Sequence, residues 1–122
     1  MEPFSQNEPI YRQIMDRLCR AVVRGNLVPG ERLPSVREMA VEFGVNPNTI
    51  SRVYQELERL GVTETRRGQG CFLTDAERIA TLRRELSRRA IDRLLTEMAA
   101  MGFSREEILR SVSDHLFGGD NP

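Results

Sequence analysis

Apolar residues recur every four positions at Ile10, Ile14, Leu18 and Val22, with Tyr11 and Met15 beside them. That spacing predicts an amphipathic helix over Ile10 to Arg24. Pro9 suits its start, where a missing N–H is no loss, and Gly25-Asn26 suits its stop. After the turn pair Pro29-Gly30, Ser35 and Glu38 have the spacing of a capping box. A second helix is expected from Ser35, burying Val36, Met39, Ala40 and Phe43 and capped by Gly44. A third follows at once, with Asn46 as cap and Pro47 in the first turn. It turns Ile50, Val53, Leu57 and Leu60 inward with Tyr54 alongside, and leaves Asn48, Thr49, Ser51, Arg52, Gln55, Glu56 and Arg59 outward until Gly61.

Val62 to Arg66 and Cys71 to Leu73 then predict two short strands around Arg67-Gly68-Gln69-Gly70, a hairpin with a basic, glycine-rich tip. Helix formers take over after Leu73. Thr74 with Glu77 suggests a second capping box, opening a helix that carries Ile79, Leu82, Leu86, Ala90, Ile91, Leu94, Leu95, Met98 and Met101. About 25 residues span roughly 38 Å, and a one-sided stripe of that length needs a cover. Gly102 stops it. Ser104 with Glu107 forms a third box, Phe103 with Ile108 a hydrophobic staple, and a last helix presents Ile108, Leu109, Val112, Leu116 and Phe117 before Gly118-Gly119, leaving Asp120-Asn121-Pro122 frayed. The expected fold is mainly α with a small β-hairpin. An N-terminal winged helix-turn-helix over residues 1–74 would precede a short two-helix dimerisation or effector region over 75–122, a piece short for an independent core.

Charge and composition narrow the function. The 122 residues are 39% hydrophobic and 30% charged, and 18 basic against 18 acidic residues leave a net charge of zero. No apolar run reaches the roughly 18 residues of a membrane span, and Met1-Glu2-Pro3-Phe4-Ser5 is unlike a signal peptide, so a cytoplasmic protein is expected. Cys19 and Cys71 fit neither a disulfide framework nor, with His115 alone to help, a metal site. Every basic residue is arginine. Without lysine there is no Schiff-base or P-loop chemistry, and no paired histidines or nucleophile elbow suggest an enzyme. No catalytic residue, metal or cofactor is expected. Cys19 reads as core, Cys71 as a weak redox candidate, and His115 as a surface or helix-end residue. Met98 and Met101 read as packing, and Arg83, Arg84, Arg88 and Arg89, interleaved with Glu77, Glu85 and Asp92, as a solvated or intersubunit face.

Helix, three-residue turn, helix, hairpin is the order of a winged helix-turn-helix. Ala40, Gly44 and Ile50 stand where the motif needs a small contact residue, a turn glycine and an apolar anchor, with Met39, Phe43, Val45 and Val53 around them. Pro9-Ile10-Tyr11-x-Gln13-Ile14, then Gly25-x-Leu27-x-Pro29-Gly30-x-x-Leu33-Pro34-Ser35-Val36-Arg37-Glu38-x-Ala40, Val45-Asn46-Pro47-Asn48-Thr49-Ile50, and Arg66-Arg67-Gly68-x-Gly70-x-Phe72 resemble the DNA-binding domain of GntR-family bacterial transcription regulators over residues 9–73. The short tail with Gly102-Phe103-Ser104 resembles the YtrA subfamily. The family often has arginine at the positions of Pro47 and Ser51, which shifts expected base readout toward Asn48, Arg52 and Arg37.

The resemblance implies a homodimeric, sequence-specific regulator, a repressor more than an activator, on an inverted-repeat operator, often of a transporter operon. Its partners would be double-stranded DNA, a second copy and a small-molecule effector of unknown identity, with no membrane. The implied DNA contacts are Ser35, Arg37, Asn46, Asn48, Thr49, Ser51, Arg52 and Gln55, with Arg66, Arg67, Gly68, Gln69 and Gly70 in the wing. The amino ends of the second and third helices would add free N–H groups for phosphates. Leu82, Leu86, Leu94, Met98, Ile108, Val112 and Leu116 would form the dimer contact. Plainer readings remain beside these. The arginines could pair with acidic neighbours, the glycines could serve the turn alone, Asn48 and Thr49 could only cap, and the winged helix could dock on a protein instead of DNA.

Overall fold

The computed structural model describes residues 3–118. The expected fraying of Asp120-Asn121-Pro122, and Gly119, lie outside them. The elements in chain order are α1 (Ile10–Val23), α2 (Val36–Phe43), α3 (Pro47–Arg59), β1 (Thr63–Arg66), β2 (Gly70–Leu73), α4 (Ala76–Ala100) and α5 (Arg105–Leu116). They form five helices and one two-stranded antiparallel hairpin, as the apolar spacing predicts. Contacts divide the chain into two compact units, Met1–Arg83 and Arg84–Pro122. The division falls inside α4, whereas composition changes at Leu73 to Asp75.

In the first unit, Ile14, Leu18 and Val22 of α1 are buried, as are Met39 and Ala40 of α2 and Ile50, Val53 and Leu57 of α3. Leu33, Val62 and Leu73 join this core, and Cys19, Tyr54 and Leu82 are buried as well. Ile10 lies open at the start of its stripe, and Leu60, at the C-cap of α3, is only half-buried. The first capping box forms as expected. Ser35 Oγ accepts from Glu38 N at 3.1 Å and Glu38 Oε1 accepts from Ser35 N at 2.8 Å. That backbone donor holds the Glu38 carboxyl below its ordinary pKa.

Three features needed long-range contacts. The segment before α2 pairs with β2 as a third lane of the sheet: Leu33 N donates to Cys71 O at 2.8 Å and Leu73 N to Glu31 O at 2.8 Å. Residues ahead of α1 form a strap, in which Ser5 N donates to Gln13 Oε1 at 2.7 Å and Phe4 stacks on Phe43 with centroids 6.3 Å apart. The cap of α4 is Asp75 rather than Thr74. Thr74 N–H is engaged by Val62 O at 3.0 Å in line with the sheet, so the helix begins one residue later and Asp75 Oδ1 accepts from Arg78 N at 2.9 Å.

The second unit comprises the remainder of α4 and α5. Gly102 takes a φ of 89°, which lets Phe103 N donate to Met98 O at 3.1 Å and close the helix end. Ser104 and Glu107 then form a full capping box, with hydrogen bonds of 2.8 and 3.1 Å. No helix among the described residues is long and apolar enough to cross a membrane.

Candidate nucleic-acid interface

The first unit carries the outward side of α3, the start of α2 and the hairpin. Along α3, Asn48, Arg52, Gln55 and Arg59 form one exposed stripe, opposite the buried Ile50, Val53, Tyr54 and Leu57. The helix thus has the amphipathic division that leaves a polar ridge free to enter a groove. Thr49 and Ser51 flank the ridge, half-buried, and Arg37 is exposed on α2.

The amino end of α3 differs from expectation. Pro47 has no N–H, Asn46 Oδ1 takes Asn48 N at 2.8 Å, and Asn46 O takes Thr49 N at 2.9 Å. The first donors of α3 are therefore absent or already engaged. At α2 the capping box likewise engages the N–H groups of Ser35 and Glu38. At α3 side chains rather than the helix end are left to meet phosphates, while at α2 the capping box leaves the N–H groups of Val36 and Arg37 outside it; Asn46 acts through its cap while its amide NH₂ remains a donor.

The wing is a strict register of Thr63↔Leu73, Glu64↔Phe72, Thr65↔Cys71 and Arg66↔Gly70. Its tip closes by Gln69 N donating to Arg66 O at 2.8 Å, with Gly68 at a φ of 75° in the third turn position, where a side chain would be strained. Arg67 and Gln69 project from an exposed tip. Arg66 is less free, because its Nε lies 3.1 Å from Glu64 Oε1 and its guanidinium 4.1 Å from the Phe72 ring centroid.

Between α3 and the wing runs a groove of about 810 Å³, whose lining includes Ser35, Ser51, Gln55, Arg59, Thr65 and Gly70. It gathers Ser35, Ser51, Gln55 and Gly70 from three separate stretches of chain. Arg37, Asn48, Arg52 and Arg67 lie outside its lining. Arg59 is held by Glu56, its Nη2 2.8 Å from Oε2, which keeps the Glu56 carboxyl below its ordinary pKa. Across the groove, Thr65 Oγ1 donates to Glu58 Oε1, tying strand to helix. Tyr54 anchors the floor through a 2.7 Å bond from its OH to Pro34 O, and burial pushes its phenol up.

Arg52 makes an unanticipated contact. Its guanidinium lies 3.7 Å from the Tyr11 ring centroid, and Arg12 Nε donates to Tyr11 Oη at 3.3 Å. The Arg12 hydrogen bond holds the Tyr11 phenol below its usual pKa. In the sequence Tyr11 is marked only as an aromatic beside the α1 stripe and as part of the Pro9 to Ile14 run, with Arg12 next to it, and neither signal points to Arg52. Cys71 is a half-buried free thiol whose pKa burial raises, which disfavours the reactive thiolate. His115 Nδ1 lies 2.8 Å from Ser111 O on the exposed last turn of α5. Among the described residues no group of His, Cys, Asp and Glu could hold a metal ion.

Of the residues expected at a dimer contact, Leu82 and Ile108 are already covered within the single chain, at 6% and 7% exposure. Leu86, Met98 and Val112 are half-buried, and Leu94 and Leu116 are exposed. Ile91, Met101, Leu109 and Phe117 of the second unit are exposed as well. Leu109 and Phe117 thus add to the open surface although the expected contact does not include them.

The model of the bacterial regulatory proteins, gntR family, matches residues 10–73. The uncharacterized HTH-type transcriptional regulator YhcF of Bacillus subtilis is 45% identical over 117 residues, covering 95% of this chain and 97% of YhcF. The HTH-type transcriptional repressor YtrA of the same organism is 32% identical, covering 91% of this chain and 89% of its own. A solved structure of a GntR family transcriptional regulator from Listeria monocytogenes superimposes with a TM-score of 0.86 at 37% identity, covering 90% of this chain and 97% of that one.

Proposed function

This chain belongs to the gntR family of bacterial regulatory proteins and is a DNA-binding transcriptional regulator, and from that premise we propose that it is a homodimeric repressor of an inverted-repeat operator. The observation that carries the proposal is the exposed α3 ridge of Asn48, Arg52 and Gln55 beside a glycine-tipped, arginine-bearing wing. In this reading α3 enters the major groove, where Arg52 and Asn48 meet base edges, and Arg37 acts from α2. Arg66, Arg67, Gly68, Gln69 and Gly70 follow the adjacent minor groove, while Ser35, Asn46, Thr49 and Ser51 meet the backbone.

Zero net charge does not oppose this, because attraction to phosphate is local. With about four or five phosphates met per half-site, the slope of log affinity against log salt is expected at roughly −7 to −9 for a dimer. Dimerisation is supported by the open apolar residues of the second unit, and repression by the likeness to YtrA. Two-fold symmetry then sets half-site centres about one helical turn, or a multiple, apart. By the same subfamily likeness, a transporter operon is the expected target.

Selection of bound sequences from random duplex DNA, followed by titration of the selected site, tests the proposal. An inverted repeat bound by two copies is expected, with Arg52→Ala losing preference for it. Absence of any preference among random duplexes at moderate ionic strength overturns the proposal.

A further inference from the structure

Resting on the DNA-binding reading, we propose that Arg32 holds a phosphodiester of the DNA backbone in the groove between α3 and the wing. Neither the helix-turn-helix periodicity nor the glycine-rich tip marks this residue. It belongs to the third lane of the sheet, bridged to Phe72 and followed by Leu33 N on Cys71 O at 2.8 Å. The lane anchors its backbone while its side chain stays exposed and lines the groove with Ser51, Gln55 and Thr65.

Of the two arginines that line the groove, Arg59 is held by a carboxylate and Arg32 is not. Arg59 is engaged by Glu56, Arg66 by Glu64 and Phe72, and Arg52 by Tyr11. Arg32 makes no ion pair among the described residues. The carboxylates that face it are Glu38, whose oxygen is committed to Ser35 N, and Glu58, which accepts from Thr65. A guanidinium with its fork unused, in a groove between two elements that each approach DNA, suits a phosphate by bidentate hydrogen bonding.

Gly70 gives the same side chain a second constraint. A Cβ there would meet Arg32 Nε at 2.9 Å, and the φ of 115° independently favours glycine. The glycine thus serves the wing and also leaves the space that Arg32 crosses. A side chain at position 70 would push the guanidinium out of its present path.

The test is salt-dependent titration of the full-length protein against its selected operator and an unrelated duplex, comparing Arg32→Ala, Arg32→Lys, Gly70→Ala and Arg52→Ala. Arg32→Ala should weaken both duplexes alike, on the order of tenfold per half-site. The salt slope should become shallower by about 0.9 per subunit, with Arg32→Lys keeping it. Gly70→Ala should weaken both duplexes, and less when made in the Arg32→Ala background than in the parent. If Arg32→Ala leaves affinity and slope unchanged while Arg52→Ala loses operator preference, Arg32 holds no phosphate and the functional reading stands. If the parent protein prefers no duplex, the functional reading fails and this inference falls with it.

Discussion

The two compact units solve the problem of apolar surface differently. In the first, Ile14, Ile50, Val53, Leu57, Val62 and Leu73 are almost wholly buried, drawn from α1, α3, the turn ahead of β1, and β2. In the second, Ile108 is buried, while Met101, Leu109 and Phe117 are 67%, 72% and 79% exposed. At ~25 cal/mol per Å² of apolar surface, side chains left open contribute little until something covers them. The first unit therefore buries its own core, whereas the second leaves open the apolar surface that the proposed dimer would cover.

Thermal melts across a dilution series give the widest separation. Leu57→Ala should lose about 2–5 kcal/mol by leaving a cavity in the first unit, lowering the melt at every concentration. Leu109→Glu should instead abolish the concentration dependence of the melt and leave a monomer in sedimentation. A parent protein whose melt does not depend on concentration would erase the contrast.

The next effect is on recognition. Arg52→Ala should cost about 1–3 kcal/mol of discrimination between operator and random duplex, read as the ratio of the two affinities, with the melt of the first unit preserved. Tyr11→Leu should reproduce a smaller part of that loss, about 0.5–1 kcal/mol, because it removes the ring that orients Arg52 but not the guanidinium itself. Equal affinity ratios for parent and Tyr11→Leu would show that the stacking is idle.

The smallest effect separates the capping boxes. Glu38 and Glu107 both have pKa values held down in the folded state by serine N–H donors. Their contribution is present above the unfolded carboxyl pKa and is lost as pH falls through the lower folded value. Glu38→Gln should accordingly flatten the acid limb of the melt below the ordinary carboxylate range and leave stability at neutral pH changed by tenths of a kcal/mol. An unchanged acid limb would remove Glu38 from that account.

Much of the candidate surface is legible in the sequence. The ridge of Asn48, Arg52 and Gln55 follows from the positions of Ile50, Val53 and Leu57, since burying one side of a helix exposes the other. The tip at Gly68 followed from turn chemistry. Arg32 and Tyr11 were not legible as site residues, because their importance comes from Gly70 and Arg52, each about forty residues away in sequence. The free helix ends expected at α3 were lost to Asn46, whose side chain and carbonyl both serve the cap.

Sequence by itself determined the helix starts at Ser35, Asn46 and Ser104, the inward side of α3 and the hairpin, because caps, turns and apolar periods act over a few neighbouring residues. Tertiary structure alone decided the third sheet lane at Glu31 to Leu33, the Phe4 strap on Phe43, the shift of the α4 cap to Asp75 and the path of Arg32 across Gly70. Each of these depends on where distant backbone lies, and a backbone N–H or a guanidinium takes whichever partner the packed chain brings within about 3 Å.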